Sequence, residues 1–220
     1  MAVGRRPRYA ALYTMSQMPL FASDREIVLV NDARGRIDYT PGLVRPEIAH
    51  AWFADLRETV PWRTQRRMMY DREVDVPRLQ AHFRLDDPDA DVPEAIRGAA
   101  GKVVIATGVP FNSVGLNFYR DGRDSVAPHS DHLDEIVPGF PIALLSLGAT
   151  RRMTIRAKEP PRRTLHADLA PGSLLVMSYE TQLHYTHGIP KTREPMDGRI
   201  SLAFRVKPAR EREDEASFYR

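Results

Sequence analysis

Three period-two patterns in the second half of the chain carry side chains able to do chemistry. His129-Ser130-Asp131 sets an imidazole and a carboxylate on one side of an extended backbone, because residues i and i+2 of a strand share a face. Asn117-Phe118-Tyr119 does the same for an amide and a phenol. In Arg-Ile-Ser-Leu-Ala-Phe-Arg-Val, Arg199, Ser201, Ala203 and Arg205 form one face, while Ile200, Leu202, Phe204 and Val206 form the other. A later histidine, His184 or His187, completes with His129 and Asp131 a set of two imidazoles and one carboxylate. Such a set leaves coordination positions open and suits Fe(II) oxygen chemistry. Taken alone, His-x-Asp is a weak motif, and spacing does not choose between the two distal histidines. Two arginines on an isolated strand face read most simply as solvated charge. A wholly apolar opposite face, together with the neighbouring motifs, points instead to a strand with an oily outer side and an enclosed polar cavity on its inner side.

Composition limits the chemistry further. The chain has no cysteine, which excludes disulfides, thiolate zinc sites, iron–sulfur clusters and thiol nucleophiles. A metal must then be held by His, Asp or Glu. At 220 residues and 42% hydrophobic, the chain can bury one substantial core, so a single catalytic domain is expected. Lysine and arginine exceed aspartate and glutamate by 32 to 29, a formal charge of +3, which permits a polyanionic partner without requiring one. No apolar run approaches the roughly 20 residues of a membrane-spanning helix, so a soluble, cytoplasmic protein with no membrane partner is expected.

The elements that position these residues follow from periodicity. Ile27 to Val30 and Ile37 to Tyr39 read as a hairpin. A helix is predicted from Pro46, at the first helical position, with Ile48, Trp52, Phe53, Leu56 and Val60 at helical spacing. A second is predicted from Pro93 to about Thr107, ended by Gly108. Between them, Pro61 to Asp91 reads as irregular. From Ser113 onward come short strand-like runs, Ser113 to Tyr119, Ile142 to Leu147, Met153 to Arg156, Thr164 to Leu169, Ser173 to Met177 and Arg199 to Val206. Their number and spacing predict a sandwich or jelly-roll, mainly β, with helices packed outside. Residues 1–22, with Arg5, Arg6 and Arg8 and no apolar signal core, read as a disordered basic arm; Met15 is an alternative start. Residues 209–220 read as a charged tail.

The order Asn-x-Tyr, His-x-Asp, distal His, then Arg-x5-Arg resembles the AlkB family of Fe(II)/2-oxoglutarate-dependent dioxygenases. The flanking text agrees: Leu-Asn-Phe-Tyr-Arg-Asp-Gly, Pro-Gly-Ser-Leu-Leu-Val-Met and His187-Gly-Ile-Pro. The motifs span about residues 113 to 206, with weaker likeness back to the first helix. The resemblance implies a double-stranded β-helix within one domain, 23–208. Residues 23–110 would supply N-terminal helices and a nucleotide-recognition lid, and 111–208 the catalytic core. It implies that His129, Asp131 and His187 bind iron, with His184 only a neighbour. It implies that Asn117, Tyr119, Arg199, Ser201 and Arg205 bind 2-oxoglutarate, Arg199 at its distal carboxylate and Arg205 near its keto-acid end.

For substrate, the resemblance implies Tyr70 and Trp62 in the lid and Asp134 beside the base, with Arg63, Arg66 and Arg67 available to phosphates. Two positions depart from the family pattern. Ser201 stands where relatives often carry Asn, and Leu133 stands where they tend to place an acid that contacts the damaged base. The implied reaction consumes Fe(II)-bound 2-oxoglutarate and O2, releases succinate and CO2, and removes an N-alkyl group as an aldehyde. The implied substrate is alkylated DNA of the 1-methyladenine or 3-methylcytosine type, with the base flipped out and the enzyme acting as a monomer. The same chemistry on RNA or on a protein side chain is the alternative. A catalytically silent nucleic-acid-binding module is a further one, disfavoured because it would have no chemical reason to keep the full ligand and arginine set.

Overall fold

The computed structural model of the protein describes residues 26–69 and 72–209. The basic arm, all but the first residue of the charged tail, and Tyr70 lie outside them. In chain order the elements are β1 (Ile27–Asp32), β2 (Gly35–Thr40), α1 (Pro46–Thr59), β3 (Arg63–Met69), β4 (Arg72–Arg84), α2 (Glu94–Thr107), β5 (Ser113–Tyr119), β6 (Val126–His129), β7 (Ile142–Gly148), β8 (Arg151–Ala157), β9 (Thr164–Leu169), β10 (Leu174–Met177), α3 (Thr181–His184), β11 (Tyr185–Ile189) and β12 (Arg199–Arg205). An eight-stranded sheet runs β1-β2-β10-β7-β12-β5-β4-β3 and a four-stranded sheet runs β6-β11-β8-β9. The ladders are antiparallel, as the jelly-roll reading requires. No helix among the described residues is long and apolar enough to cross a membrane.

Strand alternation builds two cores. In β7, Ala143, Leu145 and Leu147 face a cluster shared with α1 and α2, while Ile142 and Leu144 face a cluster shared with β8, β9 and β11. Apolar side chains on both faces mark a strand covered on both sides. In β12, Ile200, Leu202 and Phe204 are fully buried in the helix-side cluster beside Ala49 and Leu56 of α1 and Ile96, Ala99 and Val103 of α2. Burying each large aliphatic or aromatic group stabilises the fold by about 1.5 to 3 kcal/mol. The opposite parity of β12 is thereby forced inward, between the sheets. Helix ends follow their sequence signals. Pro46 occupies the first turn of α1. Gly108, left-handed at φ 69°, ends α2 and returns its N–H to the Val104 carbonyl.

Two parts of the architecture differ from the sequence reading. The stretch from Pro61 to Asp91 is not irregular throughout: β3 and β4 form a hairpin, and β4 continues as the partner of β5 from Leu79↔Phe118 to Arg84↔Ser113. Its charged residues and Pro77 conceal the alternation. Pro77 falls in the register shift between Asp75 and Leu79, where its missing N–H costs the ladder nothing, and its carbonyl accepts from Ser125 N–H at 2.8 Å. The short strands β6 and β11 also escape sequence reading, β6 because it has four residues and contains Pro128, β11 because the helical turn α3 runs directly into it.

Gly148 ends β7 directly opposite Arg199 of β12, at φ +80°. A Cβ there would meet the Gly198 carbonyl and lie 2.7 Å from the Phe53 ring. We expect Gly148→Ala to destabilise the fold by about 2 kcal/mol or more from the left-handed backbone alone. This should appear as a fall in melting temperature of about 4 to 8 °C. An unchanged melting temperature would show that this strand end can rearrange.

Candidate functional site

The inward face of the large sheet is polar across three adjacent strands. The register sets Arg199 opposite Tyr119, Ser201 opposite Asn117, and Asn117 opposite Gln80. β4 repeats the pattern of β12, with Arg78, Gln80, His82 and Arg84 on one parity and Leu79, Ala81 and Phe83 on the other. Facing this stripe, β6 and β11 bring His129 and His187 into direct register. The result is one pocket whose lining includes His129, Asp131, His187, Asn117, Tyr119, Arg199, Ser201 and Arg205, all eight of the expected metal and 2-oxoglutarate residues.

One nitrogen from each histidine and one oxygen of Asp131 lie within 4.8 Å of one another. His129 Nδ1 lies 2.9 Å from the Ala127 carbonyl. A carbonyl only accepts, so that nitrogen carries a proton, and the neutral ring has its lone pair on Nε2. Nε2 of His129 and Nε2 of His187 are 3.8 and 3.9 Å from Asp131 Oδ1. Burial, and then the neighbouring His129, push His187 down to about 4, so its ring is neutral and ready to donate an electron pair at ordinary pH. Burial alone would raise the Asp131 carboxyl, but the Arg205 guanidinium, through its charge and its hydrogen bond, more than offsets it and holds the group below the usual range. Arg205 Nε and Nη2 donate to Asp131 Oδ2 at 2.8 and 2.6 Å. The carboxylate is thus divided, with Oδ2 on arginine and Oδ1 beside the imidazoles. His184, at the end of α3, lies outside this group. Two imidazoles and one oriented carboxylate on one side of a pocket fit Fe(II) with coordination positions left for other ligands. Gln182 adds support from below: its Oε1 accepts the Asp131 backbone N–H at 3.0 Å.

Deeper in the pocket, Arg199 is 1% exposed. Its Nη2 donates to Ser146 Oγ at 2.8 Å, and its guanidinium lies 5.3 Å from the Tyr119 ring centre. Nε and Nη1 are buried with no hydrogen-bond partner among the described residues. Burial lowers this guanidinium to about 10, still charged at neutral pH. A buried cation with vacant donors is a receptor for a carboxylate. This chemistry fits 2-oxoglutarate, which carries one at each end. Burial also raises the Tyr119 pKa, which the surrounding arginine charges oppose without reversing, so its hydroxyl remains a donor.

Arg78 is a pocket residue that the sequence reading missed. Its Nε donates to Asn117 Oδ1 at 2.7 Å, and Gln80 Nε2 donates to the same oxygen at 3.1 Å. Two donors on Oδ1 leave the Asn117 amide nitrogen as the donor for a ligand. The period-two Arg-x-Gln-x-His of β4 was the available signal, and Pro77 obscured it.

The expected substrate residues fare differently. Trp62 does not line the pocket; it packs 5.3 Å from the Phe118 ring in the helix-side core and donates Nε1–H to the Arg57 carbonyl. Its large apolar surface is taken up where α1 meets the sheet. Asp134 sits exposed in a 3-10 turn, Leu133–Glu135, outside the pocket lining. Leu133 packs against the core between the sheets. Tyr70 lies outside the described residues.

Comparison with known proteins agrees with this geometry. The 2OG-Fe(II) oxygenase superfamily profile matches residues 36–205. Human "Alpha-ketoglutarate-dependent dioxygenase alkB homolog 3" is 30% identical over 198 residues, covering 82% of this chain and 69% of that protein. Human "DNA oxidative demethylase ALKBH2" is 40% identical over 106 residues, covering 45% of this chain and 41% of that protein. The chain thus matches less than half the length of the ALKBH2 relatives. The solved structure of OsALKBH1 superposes on 82% of this chain and 100% of its own with a TM-score of 0.56 at 14% identity, a likeness of fold.

The two distal histidines are separable by experiment. His187→Ala should reduce Fe(II) affinity at least tenfold in anaerobic titration, the size expected when a metal site loses a ligand or its support. His184→Ala should bind iron as the parent does. The reverse outcome would move the third ligand to His184.

Proposed function

The chain belongs to the 2OG-Fe(II) oxygenase superfamily and, within it, to the AlkB family, and from that membership we propose that it oxidatively removes small alkyl groups from nucleic-acid bases. The observation that carries the reading is the buried guanidinium of Arg199, with Nε and Nη1 unpaired among the described residues, in the same pocket as a His-Asp-His cluster. A merely structural pocket would not retain an unpaired buried cation, because such a group costs several kcal/mol to desolvate.

In this reading His129, Asp131 and His187 hold Fe(II). When bound, the metal together with 2-oxoglutarate and O2 supplies the oxidation that turns an N-alkyl carbon into an N-hydroxyalkyl group, which leaves as an aldehyde while 2-oxoglutarate leaves as succinate and CO2. The protein's part is orientation. Arg199, with Ser146 Oγ bracing Nη2, receives one carboxylate of 2-oxoglutarate. Tyr119 and the Asn117 amide present neutral donors beside it, and Ser201 adds a short one. Arg205, committed to Asp131, fixes the carboxylate ligand and keeps it ionised. The apolar wall of Leu144, Met153 and Ile189 excludes water from the reacting carbon.

Ring-nitrogen methyl groups on the pairing edges of adenine and cytosine in DNA are the proposed lesions. They weaken pairing, so extruding the base costs less than for an intact one, and a base within a duplex could not reach an enclosed pocket. The names of ALKBH2 and alkB homolog 3 support a demethylase and a dioxygenase of this kind. Tyr70 remains our candidate for the base pocket. Mass spectrometry of methylated DNA and RNA oligonucleotides, single- and double-stranded, after incubation with iron, ascorbate and 2-oxoglutarate tests the proposal. Loss of 14 Da from a methylated base is expected. Succinate formation with every methylated oligonucleotide unchanged would transfer the activity to another substrate.

Arg199→Met separates ligand binding from folding. Replacing a buried, unpaired cation by an apolar chain of similar length should leave the melting temperature of the unloaded protein equal or higher. Affinity for 2-oxoglutarate should fall roughly ten- to a hundredfold, the loss of a charge-assisted hydrogen bond. Undiminished affinity would remove Arg199 from the 2-oxoglutarate site.

A further inference from the structure

Arg151, the first residue of β8, is buried at 2% exposure although nothing in the catalytic reading employs it. Its hydrogen bonds run to backbone carbonyls. Nη1 donates to the Asp121 carbonyl at 3.0 Å, and Nη2 donates to the carbonyls of Asp124 and Pro190 at 2.9 and 2.8 Å. The Asp124 carboxylate is itself taken by Arg120, which donates Nε and Nη2 to it at 2.8 and 2.9 Å. The Arg151 guanidinium also lies 5.5 Å from the Tyr119 ring centre, the same ring that Arg199 approaches at 5.3 Å.

These contacts join the supports of the site. Asp121 and Asp124 belong to the turn that leads from β5, which ends on Tyr119, into β6, which ends on His129. Pro190 follows β11, which carries His187. Within β6 and β11 the histidines pair with each other, and the Val126–Ile189 end is the one that Arg151 fastens. A single planar group with several fixed donors thus ties three strands at the end away from the metal ligands while bearing on the phenol ring between them.

We propose that Arg151 is a positioning residue that holds the Tyr119 hydroxyl in register with Arg199 for 2-oxoglutarate, a role that rests on the functional reading above. Geometry is its contribution: burial depresses its pKa, and its charge repels Arg199, so for stability alone an apolar side chain would serve better. Lysine would not replace it, since one ammonium cannot present a planar fork to three carbonyls and a ring face together.

The test is a double-mutant cycle read by 2-oxoglutarate binding to the Fe(II)-loaded protein under anaerobic conditions, followed through the visible band of the chelate. Arg151→Met and Tyr119→Phe should each weaken binding about tenfold, the size of one lost hydrogen bond to a charged group. The double variant should be no weaker than either single one, because Arg151 acts through the hydroxyl that Tyr119→Phe removes. Arg151→Lys, read in the same way, should match Arg151→Met and replaces it if the methionine variant does not fold. Multiplying effects, near a hundredfold in the double variant, overturn the proposal, as does failure of both Arg151 variants to fold, which would make Arg151 a support of the sheet. A wild type that binds no 2-oxoglutarate removes the functional reading and this one with it. A wild type that binds it, beside an Arg151→Met variant that binds equally well, overturns this one alone.

Discussion

A guanidinium held almost without water, and without a carboxylate among the described residues, is the constraint around which the molecule is arranged. Arg199 cannot be buried by its own preference; it is carried in by its neighbours in sequence. Ile200, Leu202 and Phe204 must face α1 and α2, and a period of two then commits Arg199, Ser201 and Arg205 to the inside. A register slip of one residue would expose three large apolar groups and drive two arginines under the helices. The flanking ladders to β5 and β7 hold the strand along its full length, and Gly148 lets β7 end closely against Arg199. Burial of the apolar face is therefore the interaction that sustains a polar face unable to sustain itself.

The polar groups within the pocket divide their bonding capacity so that specific atoms remain free. Arg205 saturates one oxygen of Asp131 and leaves the other beside two imidazoles. Arg78 and Gln80 fill the Asn117 oxygen and leave its nitrogen as a donor. Ser146 takes one Arg199 nitrogen and leaves two groups unpaired. In each case the packing has decided which end of a bifunctional group meets the ligand, so orientation is present before any ligand arrives. Preorganisation of this kind lowers the ordering cost of binding and keeps transition-state interactions aligned.

The catalytic half was legible in sequence for the same reason that it is rigid. β5 and β12 are regular and alternate between apolar and polar side chains, so chemistry-bearing residues announce themselves by parity. His129 ends β6 and Asp131 lies just beyond it, yet the two still meet on one side as their spacing indicated, and the parity of β12 identified its inner face without tertiary information. Arg78 obeyed the same parity on β4 and was still missed, because Pro77 and the acidic residues before it broke the apolar rhythm that marks a strand. The choice of His187 over His184 was invisible to spacing, since α3 places the two on different elements three residues apart. Trp62, a large aromatic in an arginine-rich segment, stands where a helix end closes over Phe118, a place that its neighbours in sequence did not specify.

The two departures from the AlkB pattern fall on different halves of the site, and the structure treats them differently. Ser201 lies on the central strand, opposite both Asn117 and Ser146, so its shorter reach is surrounded by other short donors and by Arg78. This wall of the pocket keeps its donors even where one of them retreats. Leu133 instead lies in a turn after the His-Asp-His cluster, packed against the inner core, with Asp134 turned to solvent. No ladder among the described residues fixes that turn, and an apolar residue there takes nothing from the cluster or from Arg199. Substitution on the sheet is limited by packing on both faces, whereas the turn is limited only by what it meets on the substrate side. In the function proposed above, the sheet-borne residues can therefore stay constant while the choice of base is rewritten in segments that the barrel does not hold.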